Sequence, residues 1–189
     1  ALQGRGTIRV LDNLRTGFRQ NLDGFEVEFY EGSVLDQALV AQVMAGVDYV
    51  FHLAAMVSVP ESVANPRECE ELNGFGLLNV LEAAAAAGVK KVFFASSAAV
   101  YGDNPTVPKV ETMIPEPKSP YAFTKLLGEH YCRFFHDEGR VQTACLRFFN
   151  VFGPRQDPKG PYAAAVAIFM AKALRGEPIL IHGDGEQTR

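Results

Sequence analysis

Tyr121 and Lys125 lie four residues apart in the segment 119–125, which reads SPYAFTK. Ser119 is a favourable N-cap and Pro120 a favourable first helical residue, so the segment predicts a helix that begins here. Tyr121 and Lys125 then lie one turn apart on one helix face. A phenol has a reference pKa of about 10, and a neighbouring ammonium and a helix N-terminus both favour its anion. The pattern therefore predicts a tyrosine that transfers protons near neutral pH, although Tyr-x-x-x-Lys taken alone also fits a solvated helix face.

Further polar side chains lie where predicted strands end. Ser96 and Ser97 follow an apolar run. Asp12 ends another run, where an acid can accept both hydroxyls of a ribose, and the same Asp-Asn sequence also fits an Asx turn. His52 is interpreted as a hydrogen-bonded core residue. The remaining histidines show no ligand spacing, so a metal site is not predicted.

Short apolar runs alternate with helical segments along the chain. Strands are predicted at 7–11, around 27–31, and at 49–53, 91–95, 142–148 and 178–181. Helices are predicted from the cap Asp36 to 45, over 66–87, over 120–138 and over 163–174. This order predicts an α/β fold, a doubly wound parallel sheet with helices on both sides. The strand C-termini then share one edge, where ligands bind.

Composition and charge narrow the classes of function. The chain has 189 residues, 48% of them hydrophobic, and a net charge of -4. These values favour one globular domain with the start of a second, and they do not favour binding to nucleic acid or to an anionic membrane surface. No membrane span or signal peptide is predicted. Cys69, Cys132 and Cys145 indicate reduced thiols in a cytoplasmic protein.

The segment 103–118 contains four prolines and no periodic pattern. A stretch of this length inside a compact domain is commonly functional. Because it leads into the predicted Tyr121 helix, it is interpreted either as a cover over the site or as a surface excursion stiffened by proline.

Six sequence features together resemble the extended short-chain dehydrogenase/reductase superfamily. The closest resemblance is to the NAD-dependent epimerase/dehydratase family, of the UDP-glucose 4-epimerase type. The features are VLDNL at 10–14, FHLAA at 51–55, SSAAVYG at 96–102, the Tyr121–Lys125 pair, RFFNVFGPR at 147–155 and GDGEQTR at 183–189. The resemblance implies a partial Rossmann-like NAD-binding domain at 1–155 and the beginning of a nucleotide-sugar-binding domain at 156–189.

The resemblance also implies roles for individual residues. The catalytic residues would be Ser97, Tyr121 and Lys125. The residues binding NAD would be Asp12, Asn13, Leu14, Ser33, Val34, Leu53, Ala54, Ala55, Asn73, Tyr121, Lys125 and Phe149. The nucleotide-sugar would be bound by Ser97, Tyr121, Asn150 and Arg189. Many relatives carry Asp at the position of Ser33, so a carboxylate contact to adenine is not expected here.

The implied activity is epimerisation at C4 of a UDP-hexose through a transient 4-keto-sugar, with NAD as a retained cofactor. Dehydratase relatives place an Asp-Glu pair after the catalytic hydroxyl residue, and here those positions are Ala98 and Ala99. A dehydratase or decarboxylase of the same superfamily is the second alternative. A homodimer through the 66–87 helix and the Tyr121 helix is also implied.

A glycine-rich phosphate loop, G-x-G-x-x-G, is absent from the 189 residues. Such a loop is expected about 20 residues before an acid like Asp12, but only eleven residues precede Asp12. We therefore expect the chain to lack the first strand and glycine loop of the fold, which would leave an unpaired strand edge. The first alternative function is accordingly an inactive fragment or a non-catalytic nucleotide-binding module that holds NAD weakly.

Overall fold

The computed structural model describes residues 2–156, 165–181 and 183–185. Within these ranges the strands are β1 (Arg9–Asp12), β2 (Glu28–Glu31), β3 (Tyr49–His52), β4 (Lys91–Ser97) and β5 (Gln142–Phe148). The α-helices are α1 (Gln37–Met44), α2 (Val59–Ala64), α3 (Pro66–Glu70), α4 (Gly76–Ala86), α5 (Pro120–Asp137) and α6 (Ala165–Leu174). Short 3₁₀ helices cover Arg19–Leu22 and Ala98–Tyr101, and a π-helical segment, Glu71–Phe75, joins α3 to α4.

Every strand pair in the described residues is parallel, which confirms the predicted α/β class. The single predicted sheet is divided in two, with β1 paired to β2 in one sheet and β3, β4 and β5 in that order in the other. Among the described residues, β1 forms strand hydrogen bonds only with β2, and β3 forms them only with β4, so no strand joins the two sheets.

One hydrophobic core nevertheless joins the two sheets. It contains Val40 of α1, Leu77 and Leu81 of α4, and Val92 and Phe94 of β4, and Leu11 of β1 packs against it. Alternation along β4 buries Val92 and Phe94 on this face. On the opposite face, the Phe51 and Phe93 rings stack at 4.8 Å, and Phe51 is 48% exposed. Helices α1, α4 and α5 therefore contribute to the core on one face of the three-stranded sheet.

Local signals placed most helix ends correctly. The Asp36 carboxylate accepts a hydrogen bond from the Leu39 N–H at 3.0 Å and caps α1 as predicted. Gly88 and Gly139 have φ of 69° and 66°. These left-handed conformations, which favour glycine, end α4 and α5.

Two predictions of secondary structure were wrong, and one helix was missed. The helix predicted over 66–87 is interrupted by the π-helical segment. The strand predicted at 178–181 does not form, because these residues pair with no other strand in the described part of the chain. Helix α2 was not predicted, although Ser58 and Glu61 have the spacing of a capping box and the Ser58 hydroxyl accepts from the Glu61 N–H at 3.0 Å. No helix in the described ranges is long and apolar enough to cross a membrane.

Candidate active site

The N-terminus of α5 places Tyr121 at the edge where β4 ends. The Ser119 hydroxyl accepts from the Ala122 N–H at 3.2 Å, as predicted for an N-cap, and Pro120 is the first helical residue. The Tyr121 N–H donates to the Ser62 hydroxyl of α2, also at 3.2 Å. The first turn of α5 is therefore held both by its own cap and by a neighbouring helix.

Ser97 ends β4 and contacts Tyr121. Its hydroxyl oxygen accepts from the Ala99 N–H at 3.1 Å, and its side chain lies near enough to the Tyr121 phenol to influence the pKa of that group. Burial raises the pKa of Tyr121, whereas the Ser97 side chain lowers it, and the net result is a raised pKa. In the protein alone, the phenol therefore holds its proton more tightly than a free tyrosine does.

Lys125 lies beneath the same site and is 3% exposed. Its ammonium donates to the Ala95 carbonyl oxygen at 2.8 Å and lies 5.0 Å from the centroid of the Phe94 ring. Burial lowers the pKa of Lys125 to about 8. The prediction that this ammonium favours the Tyr121 phenolate is not met in the protein alone. The ammonium lies 5.7 Å from the centroid of the tyrosine ring, and the effect of burial on the phenol dominates.

Two interpretations were given for Asp12, an Asx turn and an acid that accepts ribose hydroxyls. The structure shows the turn and leaves the residue exposed. The Asp12 Oδ1 accepts from the Leu14 N–H at 2.7 Å, while the residue as a whole is exposed. Leu14 adopts φ of 55° within this turn, and Asn13 Oδ1 accepts from the Arg15 N–H at 3.1 Å. The turn presents the Asp12 carboxylate at the C-terminal edge of β1, where a ribose contact remains a prediction.

Ser33 and Val34 follow β2 and differ in what they can offer a ligand. The Ser33 hydroxyl accepts from the Leu35 N–H at 3.1 Å. The Val34 side chain is 6% exposed and packs in the core, and its carbonyl oxygen accepts from the Asn79 amide at 3.0 Å. Any adenine contact would therefore come from Ser33 or from the backbone.

The segment after β3 is held from beneath by Asn73. The Asn73 side chain accepts from the Met56 N–H at 2.7 Å and donates to the Met56 carbonyl at 3.1 Å and to the Thr124 hydroxyl at 3.0 Å. Asn73 is 3% exposed, so it supports the loop that carries Leu53, Ala54 and Ala55. Leu53 is 64% exposed and the two alanines are half-buried.

The segment that follows β5 carries the predicted substrate residues. The Phe149 ring lies 6.5 Å from the Tyr101 ring, and Asn150 is exposed. Arg189 lies outside the described residues. The structure thus brings Ser97, Tyr121 and Lys125 into one cluster and places Asp12, Ser33, Leu53, Ala54, Ala55, Phe149 and Asn150 at the C-terminal ends of their strands.

His52 lies in the core beside this cluster. It is 4% exposed and its ring lies 6.0 Å from the Phe94 ring. Its Nε2 lacks the hydrogen-bond partner that was predicted. Burial, followed by the charge of Lys125, lowers the pKa of His52 to about 3, so the imidazole is neutral. The described residues contain no group of three or more His, Cys, Asp or Glu arranged to hold a metal ion.

Sequence reasoning missed Ser62, Thr124, Glu129 and Arg147 as supports of the site. Thr124 donates to the Tyr121 carbonyl at 2.8 Å, and Glu129 pairs with Arg147 at 2.7 Å. The Ser58–Glu61 capping box could have indicated the helix that carries Ser62. Glu129 lies four residues after Lys125, which places it on the same face of α5.

Comparison with known proteins identifies relatives over the whole chain. Residues 1–189 match the NAD dependent epimerase/dehydratase family. A putative UDP-glucose 4-epimerase of Methanocaldococcus jannaschii is 38% identical over 184 residues, which cover 96% of this chain and 60% of that protein.

Solved structures agree with the sequence relatives. The UDP-N-acetylglucosamine 4-epimerase of Methanobrevibacter ruminantium M1, in complex with UDP-N-acetylmuramic acid, has a TM-score of 0.91 and 41% identity over 96% of this chain and 59% of its own. The UDP-glucose 4-epimerase of Thermus thermophilus, in complex with NAD, has a TM-score of 0.83 and 41% identity over 90% of this chain and 56% of its own. The chain thus spans about 60% of the length of the curated relative from Methanocaldococcus jannaschii.

Proposed function

Because the chain belongs to the NAD dependent epimerase/dehydratase family, we propose that its residues catalyse epimerisation at C4 of a UDP-hexose. The observation that carries the proposal is the cluster of Ser97, Tyr121 and Lys125 at the end of β4. Since the chain spans about 60% of the first curated relative, the proposal concerns these residues within a polypeptide of the relatives' length.

The residues present fit NAD at the strand edge. The exposed Asp12 carboxylate ends β1, where it can accept ribose hydroxyls. Half-buried Ala54 and Ala55 leave room for a flat ring system against the backbone after β3. Lys125 would hold the nicotinamide ribose from below. When bound, the nicotinamide would supply a reversible hydride acceptor, so that the sugar passes through a 4-keto form without net redox change.

The chain's own residues would handle the proton. Tyr121 would take the proton of the sugar 4-hydroxyl on its phenol oxygen and later return it. Ser97 would hydrogen-bond the same sugar oxygen and stabilise charge that develops on it. Because its pKa is raised in the protein alone, the phenol of Tyr121 keeps its proton at neutral pH. Positive charge brought by the cofactor would then lower the pKa of Tyr121 in the complex.

Two alanines favour epimerisation over dehydration. Ala98 and Ala99 form the turn directly after Ser97, and neither side chain can protonate a departing hydroxyl.

The proposed substrate contacts are Asn150 and Arg189, which would meet the diphosphate. A guanidinium suits phosphate because it donates two parallel hydrogen bonds.

We infer a homodimer as the assembly. Large apolar side chains are exposed on three elements that pack against one another: Val63 of α2 at 62%, Phe75 of the π-helical segment at 57% and Phe123 of α5 at 59%. We propose that these three side chains form one apolar patch. Such a patch would be covered in a symmetric interface.

Turnover of UDP-glucose, UDP-galactose and their N-acetyl forms tests the activity. The assay would use the chain extended at both ends to the relatives' length, alongside the 189-residue chain. We expect Tyr121→Phe to lower turnover by about 10²- to 10⁴-fold while NAD affinity is kept. Tyr131→Phe is the matched control, since Tyr131 lies on the same helix and packs against the core.

Outcomes of this assay separate the candidate functions. Interconversion of the two C4 epimers supports the proposal, and unchanged turnover in Tyr121→Phe contradicts the assigned role. Release of water from the sugar would indicate a dehydratase instead, and release of carbon dioxide from a UDP-uronate supplied as a further substrate would indicate a decarboxylase. Binding of NAD or a UDP-sugar without turnover in the extended protein would indicate a non-catalytic nucleotide-binding module.

A further inference from the structure

A carboxylate and a guanidinium meet directly below the site. Glu129 Oε2 accepts from the Arg147 Nη2 at 2.7 Å, and Oε1 accepts from the Arg147 Nε at 2.9 Å. The Glu129 and Arg147 side chains are 14% and 17% exposed. The Ser96 hydroxyl donates to the same Oε1 at 2.5 Å. This is a two-pronged, charge-assisted contact in a largely buried setting, the geometry in which such a pair resists rearrangement.

The pair lies on or is bonded to the elements that carry all three proposed catalytic residues. Glu129 lies one turn after Lys125 and two turns after Tyr121 on the face of α5 that meets the sheet. In the register of β4 and β5, Ser96 is opposite Arg147 and Ser97 is opposite Phe148. Glu129 is therefore fastened to the strand that carries Ser97 by one hydrogen bond and to β5 by two. Any shift of α5 along the sheet would have to break these bonds.

The same guanidinium reaches two segments that follow Ser97. Its central carbon lies 4.8 Å from the centroid of the Tyr101 ring, in the turn directly after β4. Its Nη1 donates to the Glu111 carbonyl oxygen at 3.3 Å, within the proline-rich segment 103–118. One side chain therefore contacts α5, the turn after Ser97 and the segment that leads into the Tyr121 helix.

Neither group is suited to proton transfer. Hydrogen bonding to Glu129 raises the pKa of Arg147, which keeps the guanidinium charged. Both carboxylate oxygens of Glu129 accept hydrogen bonds from protein groups. The pair can hold other residues in place, but it has no free atom to offer a substrate.

We propose that Glu129 and Arg147 are positioning residues, which fix Ser97 against Tyr121 and fasten the segment 103–118 beside them. This inference deepens the proposed function, and the hydrogen-bond geometry that supports it is present without cofactor or substrate. Its test can therefore be read in the free protein. Failure of the turnover assay would leave that test intact.

Two measurements on the free protein report the two parts of the proposal. The first is the ultraviolet titration of Tyr121, obtained by subtracting the spectrum of a Tyr121→Phe background. Its neighbours are the Ser97 hydroxyl, the Lys125 ammonium and the Cys69 thiol of α3. The second is the rate of tryptic cleavage after Lys109 and Lys118, which lie in the 103–118 segment.

Four variants and one control form the set. Arg147→Lys keeps the charge and loses the planar fork. Arg147→Met and Glu129→Gln each remove one charge, and the double variant Glu129→Gln/Arg147→Met removes both. Arg133→Met is the control, because Arg133 pairs with Asp137 on α5 at 3.3 Å in an 80% exposed position.

We expect every pair variant to raise the titration midpoint of Tyr121, since the contact with Ser97 that lowers the pKa of Tyr121 loosens. We also expect cleavage after Lys109 to accelerate about 10- to 100-fold, while Arg133→Met leaves both readouts unchanged. In the extended protein, kcat should fall with KM nearly constant.

A merely structural role would lower the melting temperature of the variants and leave the Tyr121 titration and the cleavage rate at wild-type values. That result would overturn the proposal. If Arg147→Met does not fold, Arg147→Lys and the double variant give the same comparison, because neither leaves a buried charge without a counter-ion.

Discussion

The Lys125 ammonium and the Tyr121 ring lie 5.7 Å apart, yet the hydrogen bond of the ammonium goes to the Ala95 carbonyl oxygen at 2.8 Å. Lys125 is thus held by the end of β4, and its ammonium forms its hydrogen bond with the backbone there. The pKa of Tyr121 is raised and the pKa of Lys125 is lowered, and burial is the largest cause of both shifts.

Lys125 should lose its proton on folding at moderately alkaline pH. Its pKa falls from 10.5 to about 8 on folding, so between these values the unfolded chain binds more protons and stability rises with pH. Below pH 8 the buried ammonium costs on the order of 3 kcal/mol. Urea unfolding of the wild type and of Lys125→Met should therefore converge as the pH rises from 8 to 10.5.

Lys90 supplies the comparison for that experiment. The Asp48 carboxylate raises the pKa of Lys90. The contribution of Lys90 to folding stability is therefore present at low pH and is lost as the pH rises through the pKa of Lys90. Between pH 8 and 10.5, the stability of the wild type relative to that of Lys90→Met should therefore not increase. Parallel behaviour of the Lys125 and Lys90 variants would contradict the lowered pKa of Lys125.

Removal of the Ser97 hydroxyl should make Tyr121 a weaker acid. The Ser97 side chain opposes the effect of burial on the pKa of Tyr121, so Ser97→Ala leaves burial unopposed. The ultraviolet titration midpoint of Tyr121 should then move to higher pH. Ser33→Ala, which removes a hydroxyl at the end of a different strand, should leave the midpoint in place, and an unchanged midpoint in Ser97→Ala would show that the two side chains do not interact.

Gly102→Ala should detach the proline-rich segment from the turn that follows Ser97. Gly102 has φ of 58°, and a Cβ atom there would collide with the Glu116 carbonyl oxygen. The unusual backbone alone costs about 1–3 kcal/mol for a residue with a side chain. Faster tryptic cleavage after Lys109 and a lower melting temperature should report the loss.

Gly139→Ala isolates the backbone part of that effect. Gly139 has φ of 66°, and a Cβ there would meet no atom within 4 Å. It should lower the melting temperature without accelerating cleavage after Lys109. Equal cleavage rates in the two variants would mean that contact with Glu116 does not hold the segment.

Gly128→Ala should destabilise the chain although alanine is the better helix former. The gain in helix propensity is about 1 kcal/mol. Against it, the new methyl would lie 2.5 Å from Phe94 Cζ and 3.0 Å from Leu77 Cδ2, and overpacking of a core costs about 1–3 kcal/mol. Urea unfolding should show a net loss that Phe94→Leu partly relieves in the double variant. Additive losses would contradict a clash with Phe94.

Sequence signals were sufficient where the cause of a structure is local. The cap at Ser119 and the left-handed glycine after α5 lie within a few residues of the helix that they define, and β5 was predicted with its observed bounds. The proximity of Ser97, Tyr121 and Lys125 was likewise predicted from spacing and resemblance, and their role in proton transfer stays a prediction.

The remaining features depend on partners far along the chain. The π-helical segment carries Asn73, whose side chain bonds to Met56, 17 residues away. Arg147 meets Glu129 across 18 residues. The spacing of hydrophobic residues along the sequence does not indicate such long-range pairs. The raised pKa of Tyr121 in the protein alone was not predicted for the same reason, because burial depends on what packs over the ring.

The separation of β1–β2 from β3–β4–β5 has a consequence for local opening of the chain. In the described residues, no ladder of strand hydrogen bonds crosses between the two sheets, so they are joined by contacts such as the packing of α1 on α4 and the hydrogen bond from the Asn79 amide to the Val34 carbonyl oxygen. Strand β4 is hydrogen-bonded on both sides. The free energy of local opening, measured by hydrogen exchange in deuterated solvent, should therefore be lower for the amides of β1 and β2 than for those of β4. Asp12 would then belong to the half of the molecule that opens first, and a ligand that touches both Asp12 and Lys125 would slow that exchange.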